Sequence, residues 1–410
     1  MNFDRTQQSQ KGMWMKIGIV FGFVLCLMLT NRWMGWQEGI DYMYGQDVPT
    51  YVHMAQAVPG FYVQPIPLHL AQRFLPSYVA GGVAKICHLS IPSAFRLLTG
   101  LSLLLLLFFF HSILEVIGLG IFSYALTMAF FIFNPYIFRF YMLVPGDLNA
   151  AVFICAVAAM MLGLFKRNRA LILIASLAGI LSRQSLLLLL PGVLWWVLAA
   201  PSWKDIPLQR RLIFAGTLIF IISAVFRWTE SIAGLMTSAP LLVASHLSGL
   251  FPWIAQHGFQ GKTIGELVLR SFMPDVFALT FMAGIFLKRS ISRQRHAVEF
   301  FSCLLMGLFI SLQPILAGPA VTGYPKGSGT RLGAMGLVAM MTALALVMKR
   351  YDMERIFKEN RVFWIAAILI LVVNSFHHLY SWVLPLSMER FISLNFISAF
   401  VLGGYVFSIL

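Results

Sequence analysis

The chain of 410 residues is 59% hydrophobic and only 11% charged, with a mean hydropathy of +0.82. This composition is typical of a polytopic membrane protein, and no polar stretch is long enough to form a separate soluble domain. The formal net charge of +15 would suggest a nucleic-acid partner in a soluble protein, but basic cytoplasmic loops facing anionic lipid explain it here, so we expect membrane lipids and no nucleic acid as partners.

The hydrophobic runs predict an all-α fold, a polytopic transmembrane helical bundle of about twelve spanning helices with additional juxtamembrane helices on the outer face. We treat residues 1–410 as a single integral membrane domain. A basic tail precedes the first run without a small-residue cleavage site after it, which predicts a retained anchor. The predicted spans are residues 14–31, 96–115, 119–138, 146–165, 170–183, 185–201, 211–229, 270–288, 297–317, 331–348, 362–380 and 391–410.

The orientation follows from one further apolar segment, residues 74–87. It is short for a span and contains a proline, two glycines and Lys85, so we predict that it lies along the membrane surface. The N-terminal tail and the later basic clusters then share one side, which the positive-inside rule makes cytoplasmic together with the C-terminus. Residues 32–92 and 230–269 become the two long extracytoplasmic loops.

Two acidic residues on the predicted outer side are candidates for chemistry. Asp47 precedes Pro49 in the first outer loop, and Asp147 follows Pro145 and Gly146 at the start of a span. Each is equally explained as a helix cap, since Asp is favoured at the first position of a helix. Alternatively, the pair binds a divalent cation such as Mg²⁺ or Mn²⁺, or divides the roles of general base and orienting group.

Basic residues on the same side are candidates for binding a phosphate. Arg183 interrupts two apolar runs, where a charge is costly unless it is paired, snorkels to the surface or lines a cavity. Lys326 and Arg331 belong to a turn rich in Gly, Pro and Ser, and they either bind a phosphate or face lipid headgroups. Five further residues are candidates for contacts with the bound substrates. They are Tyr51, His53, Arg73, Arg139 and Tyr324.

Three stretches in the first half of the chain carry a common pattern: Gly45-Gln46-Asp47 with Tyr51 and Ala55, then Arg139–Ala151, then Leu177–Pro191. In this order they resemble motifs of the GT-C superfamily of polytopic glycosyltransferases, near the bacterial protein mannosyltransferase and aminoarabinose-transferase-like group. The first resembles the acidic motif of its first outer loop, the second its R…D-x-x-A turn, and the third its L-x-R/K…P helix-pair junction. The resemblance covers about residues 40–200.

The resemblance implies an inverting transfer of a sugar from a polyprenyl-phosphate-linked donor to a glycan, lipid or protein acceptor, on the outer face of a bacterial inner membrane. Asp47 would be the general base or a metal-coordinating carboxylate, and Asp147 would position it or the metal. Arg183 and Arg331 would hold the donor phosphate. The chain lacks a second acidic residue beside Asp47 of the D-x-D kind, which argues against metal dependence.

Other functions fit parts of the same pattern. A polysaccharide polymerase or ligase also uses outer-loop arginines but depends less on an aspartate in the first loop. A flippase or transporter of lipid-linked sugars places ionisable residues at the membrane midplane and shows paired repeats, whereas the predicted helix centres carry few charges and no repeat is visible. A noncatalytic membrane scaffold remains if Asp47 and Asp147 are only helix caps.

Overall fold

The structure is a computed structural model that describes residues 2–37, 47–66, 68–236, 250–288, 297–322, 329–376, 381–383 and 387–410. Within these ranges the regular secondary structure consists of helices and includes no strand, so the all-α prediction is confirmed. Because a backbone inside a lipid bilayer must satisfy its own hydrogen bonds, helices are the expected solution for so apolar a chain.

The helices are numbered here in chain order. They are α1 (Asn2–Thr30), α2 (Asp47–Gln56), α3 (Leu68–Ala71), α4 (Phe74–Ile86), α5 (Ile91–Ile117), α6 (Ile121–Ile132), α7 (Phe140–Leu143), α8 (Leu148–Lys166), α9 (Arg169–Ser182), α10 (Leu190–Ala199), α11 (Leu208–Met236), α12 (Leu250–His257), α13 (Gly261–Phe272), α14 (Val276–Lys288), α15 (Ala297–Thr322), α16 (Gly329–Gly333), α17 (Leu337–Arg350), α18 (Met353–Glu359), α19 (Arg361–Asn374) and α20 (Met388–Ile409).

Nine helical segments in the described part of the chain are long and apolar enough to cross a membrane, which indicates an integral membrane protein. They correspond to nine of the twelve predicted spans. The other three, 170–183, 185–201 and 362–380, overlap the shorter apolar helices Arg169–Ser182, Gln184–Ala199 and Arg361–Asn374, and residues 377–380 lie outside the described ranges. The structure therefore supports nine crossings by length, and the count of twelve stays a prediction.

Helices α1 and α5 run antiparallel, which bears on the connection between them. Lys16, near the start of the apolar part of α1 (Gly12–Thr30), donates hydrogen bonds to the Glu115 carboxylate at 2.5 Å, near the end of α5, and to the Leu119 carbonyl at 3.0 Å, just after it. The connection thus starts and ends at the same end of the bundle. The connection must therefore cross the membrane an even number of times. If residues 74–87 lie on the surface, it crosses zero times, which meets this requirement.

Inside this connection, α4 packs against α2. A side chain at Gly81 has no room, because the Ala55 carbonyl and the Val58 side chain occupy the place of its Cβ. Lys85 at the end of α4 donates a hydrogen bond to the Val58 carbonyl at 3.3 Å. The two helices therefore form one unit at the end of the bundle where Ile91 begins α5.

The position of α4 makes a prediction for labelling. A single cysteine introduced as Lys85→Cys in a cysteine-free background should react with a membrane-impermeant maleimide from outside intact cells. A cysteine introduced at Lys358, in α18, is the matched control and should react only after the membrane is opened. Labelling of both positions from the same side would contradict the surface placement of residues 74–87.

Helix α13 continues through one turn of 3₁₀ helix, Met273–Asp275, into α14. The predicted span 270–288 has Asp275 near its start, whereas the continuous segment Gly261–Lys288 has this ionisable residue at its middle. Asp275 is fully buried, and one of its carboxylate oxygens accepts a hydrogen bond from Ser311 at 2.6 Å. The 13 residues of α14 separate it from the basic end of the bundle by about 20 Å. The expectation of few charges inside the helices therefore has an exception at Asp275.

Candidate functional site

The turn before α8 places Asp147 inside the bundle. Thr99 in α5 donates a hydrogen bond to the Pro145 carbonyl at 2.8 Å, which ties the turn to a long spanning helix. Asp147 is the N-cap residue directly before α8, as predicted, but its side chain forms no capping hydrogen bond with that helix. Instead, its carboxylate accepts a hydrogen bond from the Arg331 guanidinium at 2.8 Å. The helix-cap explanation of Asp147 therefore accounts for its position and not for its side chain.

The Asp147–Arg331 pair is buried, and α16 holds its basic member. The two residues are 3% and 7% exposed. The Arg331 guanidinium lies over the Phe140 ring, 5.3 Å from its centroid. Two residues later, Gly333 packs so closely on the backbone of Ser271 in α13 that a Cβ has no room. This contact places α16, and with it Arg331, against the rest of the bundle.

Helix α2 brings Asp47 to the same turn. Asp47 is the first residue of α2 and is partly buried. The next side chain, Val48, fills the space where a Cβ of Gly146 would lie. Because Gly146 directly precedes Asp147, the start of α2 sits against the start of α8. The structure thus brings together two acidic residues that are 100 positions apart in the chain.

Tyr51 lies within electrostatic range of both the acidic and the basic residues. Its side chain is 1% exposed, and its hydroxyl has no hydrogen-bond partner among the described residues. Burial raises the pKa of Tyr51, and the nearby positive charge of Arg73 opposes that shift. The carboxylates of Asp47 and Asp147 also lie within electrostatic range of its hydroxyl. A buried hydroxyl without a partner at this position is available to a bound molecule.

Arg183 is the most unusual group of the site. It follows α9 in an extended conformation and is 1% exposed, so it does not snorkel to the surface. One terminal guanidinium nitrogen of Arg183 contacts the Met335 sulfur at 3.3 Å, and the Arg183 Nε has no hydrogen-bond partner among the described residues. No carboxylate in the described part of the chain forms an ion pair with it. The charges within electrostatic range of Arg183 are Arg73, which acts most strongly, then Asp147 and Arg331.

Arg73 links the connection between α1 and α5 to this region. Its Nε donates a hydrogen bond to the Gln184 side-chain oxygen at 3.3 Å, and the amide nitrogen of Gln184 has no partner within the described ranges. Gln184 is the residue after Arg183. The first loop therefore reaches the α9–α10 junction through a polar contact that leaves a donor group unused.

Four polar or polarisable residues of the site were not predicted. Tyr141 is fully buried with an unpartnered hydroxyl, in electrostatic range of Asp147 and Arg331. Asn149, in the first turn of α8, is buried with its whole amide group unpartnered among the described residues. Gln184 and Met335 complete this set. Their common signal is a polar or polarisable side chain within an apolar run, which inside a membrane protein indicates function or helix packing.

Two predicted contacts lie away from this cluster, and two cannot be placed. Arg139 ends a π-helical turn, is fully buried, and donates hydrogen bonds to Thr30 at 2.7 Å and Ser375 at 2.9 Å, so it ties α1 to the end of α19. His53 is exposed on α2 and stacks on Tyr62. The predicted contacts that lie outside the described residues are Tyr324 and Lys326.

The predicted divalent cation fits this site poorly. The described residues contain no group of three or more His, Cys, Asp or Glu that could hold a metal ion. Asp47 and Asp147 offer only two carboxylates, and Asp147 is already bound by Arg331. Arg73 and Arg183 add positive charge close by, which disfavours a cation and favours an anion.

The buried ion pair makes a prediction for stability. Asp147→Asn and Arg331→Gln should each lower the free energy of unfolding by about 3–5 kcal/mol, because each leaves one buried charge without its partner. The double variant should recover part of that loss. Unfolding in detergent, followed as a double-mutant cycle, measures the coupling.

A second aspartate–arginine pair is the control for this cycle. Arg167 and Asp205 are also 2.8 Å apart, but their side chains are 43% and 78% exposed. Exposed pairs of this kind contribute about 0–1 kcal/mol. Equal coupling energies for the two pairs would show that burial does not strengthen the Asp147–Arg331 interaction.

Comparisons of the chain with protein-family models, with curated proteins and with solved structures find no match. The functional argument therefore depends on the chemistry of the site itself.

Proposed function

We propose that this protein is an integral membrane glycosyltransferase of the GT-C type, which moves a sugar from a polyprenyl-phosphate-linked donor to an acceptor on the extracytoplasmic face. One observation carries the proposal: the buried Arg183 guanidinium forms no ion pair with any carboxylate of the described residues, and Arg73 and Arg331 lie within electrostatic range. Asp147 is also within range, but it already pairs with Arg331. A buried charge of this kind is costly unless an anion compensates it. The phosphate of a lipid-linked donor is an anion that reaches this depth.

The acidic side of the site suits activation of the acceptor. In the proposed reaction, an oxygen of Asp47 takes the proton of an acceptor hydroxyl while that hydroxyl oxygen attacks the anomeric carbon of the sugar. The bond between the anomeric carbon and the phosphate oxygen breaks, and its electron pair stays on the polyprenyl phosphate. Arg183 and Arg73 stabilise the negative charge that develops there. Attack from the face opposite the phosphate inverts the anomeric configuration.

Asp147 acts in this scheme through its neighbours. Its ion pair with Arg331 holds that guanidinium inside the bundle at a fixed position. Tyr51 and Tyr141 add buried hydroxyls that can bind the sugar or the phosphate. A requirement for Mg²⁺ or Mn²⁺ is not part of the proposal, because the surrounding arginines supply the positive charge.

A transporter of lipid-linked sugars is the second candidate, and Asp275 is the observation that favours it. Transporters place ionisable residues inside broken spanning helices, and Asp275 lies in such a break, fully buried. A polysaccharide polymerase or ligase would use the same arginines with less dependence on Asp47.

The first test compares envelope glycans and glycolipids by mass spectrometry in a null strain that carries wild type, Asp47→Asn, Asp205→Asn or an empty vector. We expect one sugar increment to be lost with Asp47→Asn and with the empty vector, and retained with Asp205→Asn, an exposed aspartate at the other end of the bundle. Normal glycans with Asp47→Asn would contradict the transferase mechanism.

A second arm separates transfer from transport. The purified protein in detergent, supplied with a polyprenyl-phosphate sugar and the acceptor that the glycan analysis identifies, should form product. No membrane separates two compartments in detergent, so a transporter would form none.

A further inference from the structure

A cavity of about 300 Å³ lies at the opposite end of the bundle from Asp147. It is bordered by the C-terminal ends of α5, α8 and α17 and by the N-terminal end of α15. The 19 residues of α8 separate Asp147 from Phe165 in the cavity wall by about 28 Å. The cavity is therefore distinct from the site proposed for sugar transfer.

The cavity combines apolar walls with charged groups of both signs. Its residues used in this argument are Val116, Phe165, Ser202, Glu299, Lys349 and Arg350.

Glu299 is the acidic group of the cavity. It is 1% exposed, and its carboxylate accepts hydrogen bonds from the Ser202 hydroxyl at 2.9 Å and from the Ser202 backbone at 3.4 Å. These bonds hold the carboxylate at a fixed place in the wall. A carboxylate so placed accepts hydrogen bonds from hydroxyl groups of a ligand.

Lys349 and Arg350 are the basic groups, and both are exposed at the end of α17. The Lys349 ammonium donates a hydrogen bond to the Gly118 carbonyl at 2.7 Å, which fixes it beside the end of α5. Two positive groups against one negative group favour a ligand with a net negative charge.

We propose that this cavity binds an anionic phospholipid whose headgroup carries free hydroxyls, with phosphatidylglycerol as the probe. The phosphate would bind Lys349 and Arg350, a headgroup hydroxyl would donate to Glu299, and an acyl chain would lie along Val116 and Phe165. Basic pockets between spanning helices are known to bind anionic lipids in this way. The lipid would join four helix ends that otherwise meet around an open cavity.

Native mass spectrometry tests this proposal without reference to enzyme activity. The protein is extracted from nanodiscs that contain equal amounts of phosphatidylglycerol and phosphatidylcholine. Wild type should retain one phosphatidylglycerol, and Arg350→Gln should retain about tenfold less, since one charge-assisted hydrogen bond is lost. Lys358→Gln, an exposed basic residue on the following helix, should retain as much as wild type.

A second variant distinguishes the contribution of the cavity's shape to lipid binding from that of its basic residues. Val116 is 44% exposed, and Val116→Trp should obstruct the cavity with every charge unchanged. We expect this variant also to lose the lipid. Full retention by Val116→Trp or by Arg350→Gln would overturn the proposal. Equal retention of phosphatidylcholine, or displacement of phosphatidylglycerol by added millimolar glycerol phosphate, would overturn it as well.

Discussion

Asp47→Asn is expected to lower the rate of sugar transfer by about 10²–10⁴-fold, the usual contribution of a positioned general base. Asparagine preserves the shape of the side chain and its place at the start of α2, but it cannot take a proton from an acceptor hydroxyl. Donor affinity should change little, because the proposed phosphate contacts belong to Arg73 and Arg183.

Single-turnover kinetics with a saturating lipid-linked donor measures this effect, because it isolates the chemical step from product release. Melting temperature and abundance in the membrane serve as folding controls, and both should match wild type since Asp47 is only partly buried. A variant that binds the donor more weakly but transfers at the normal rate would assign Asp47 to binding and remove it as the base.

Arg183→Met is expected to weaken donor binding by about 10–150-fold, the value of one charge-assisted hydrogen bond to a phosphate. The same substitution should raise the melting temperature of the protein without donor. Methionine fills a similar volume and removes a buried charge that has no carboxylate partner among the described residues. Loss of binding together with a gain of stability is what a preorganised anion site predicts.

Arg139→Met is the matched control for this substitution. Arg139 is equally buried, but its guanidinium donates hydrogen bonds to Thr30 and Ser375. Its replacement should lower the melting temperature and leave donor affinity unchanged. If Arg183→Met behaved in the same way as Arg139→Met, Arg183 would be a structural anchor and the phosphate site would lie elsewhere.

The all-α membrane fold was predictable from the sequence because apolar runs of spanning length identify most of the spanning helices directly. The segment from Gly261 to Lys288 shows where counting fails. Its first half, α13, carries Lys262 and Glu266, so the apolar run predicts a span that starts only at residue 270. The structure continues the helix through the break at Met273–Asp275, and the added length moves Asp275 from near the start of the predicted span to the middle of the segment.

The members of the site were partly predictable because each is a charged residue in apolar surroundings. Their convergence depends on packing that no local pattern contains, such as the contact of Val48 with Gly146. Arg139 shows the limit: it lies close to Asp147 in sequence, yet its guanidinium bonds to Thr30 and Ser375. Tyr141 and Gln184 were missed because uncharged polar residues barely interrupt an apolar run.

The Asp147–Arg331 pair also constrains how the protein is made. Asp147 enters the membrane with the first third of the chain, whereas its partner is translated only after most of the spanning helices. Until α16 emerges, this carboxylate has neither its basic partner nor a bond to the start of its own helix. The nascent chain must therefore keep it hydrated, protonated or protected by the insertion machinery. Completion of the ion pair is a late step of biogenesis, so a partly inserted chain cannot yet hold a finished site.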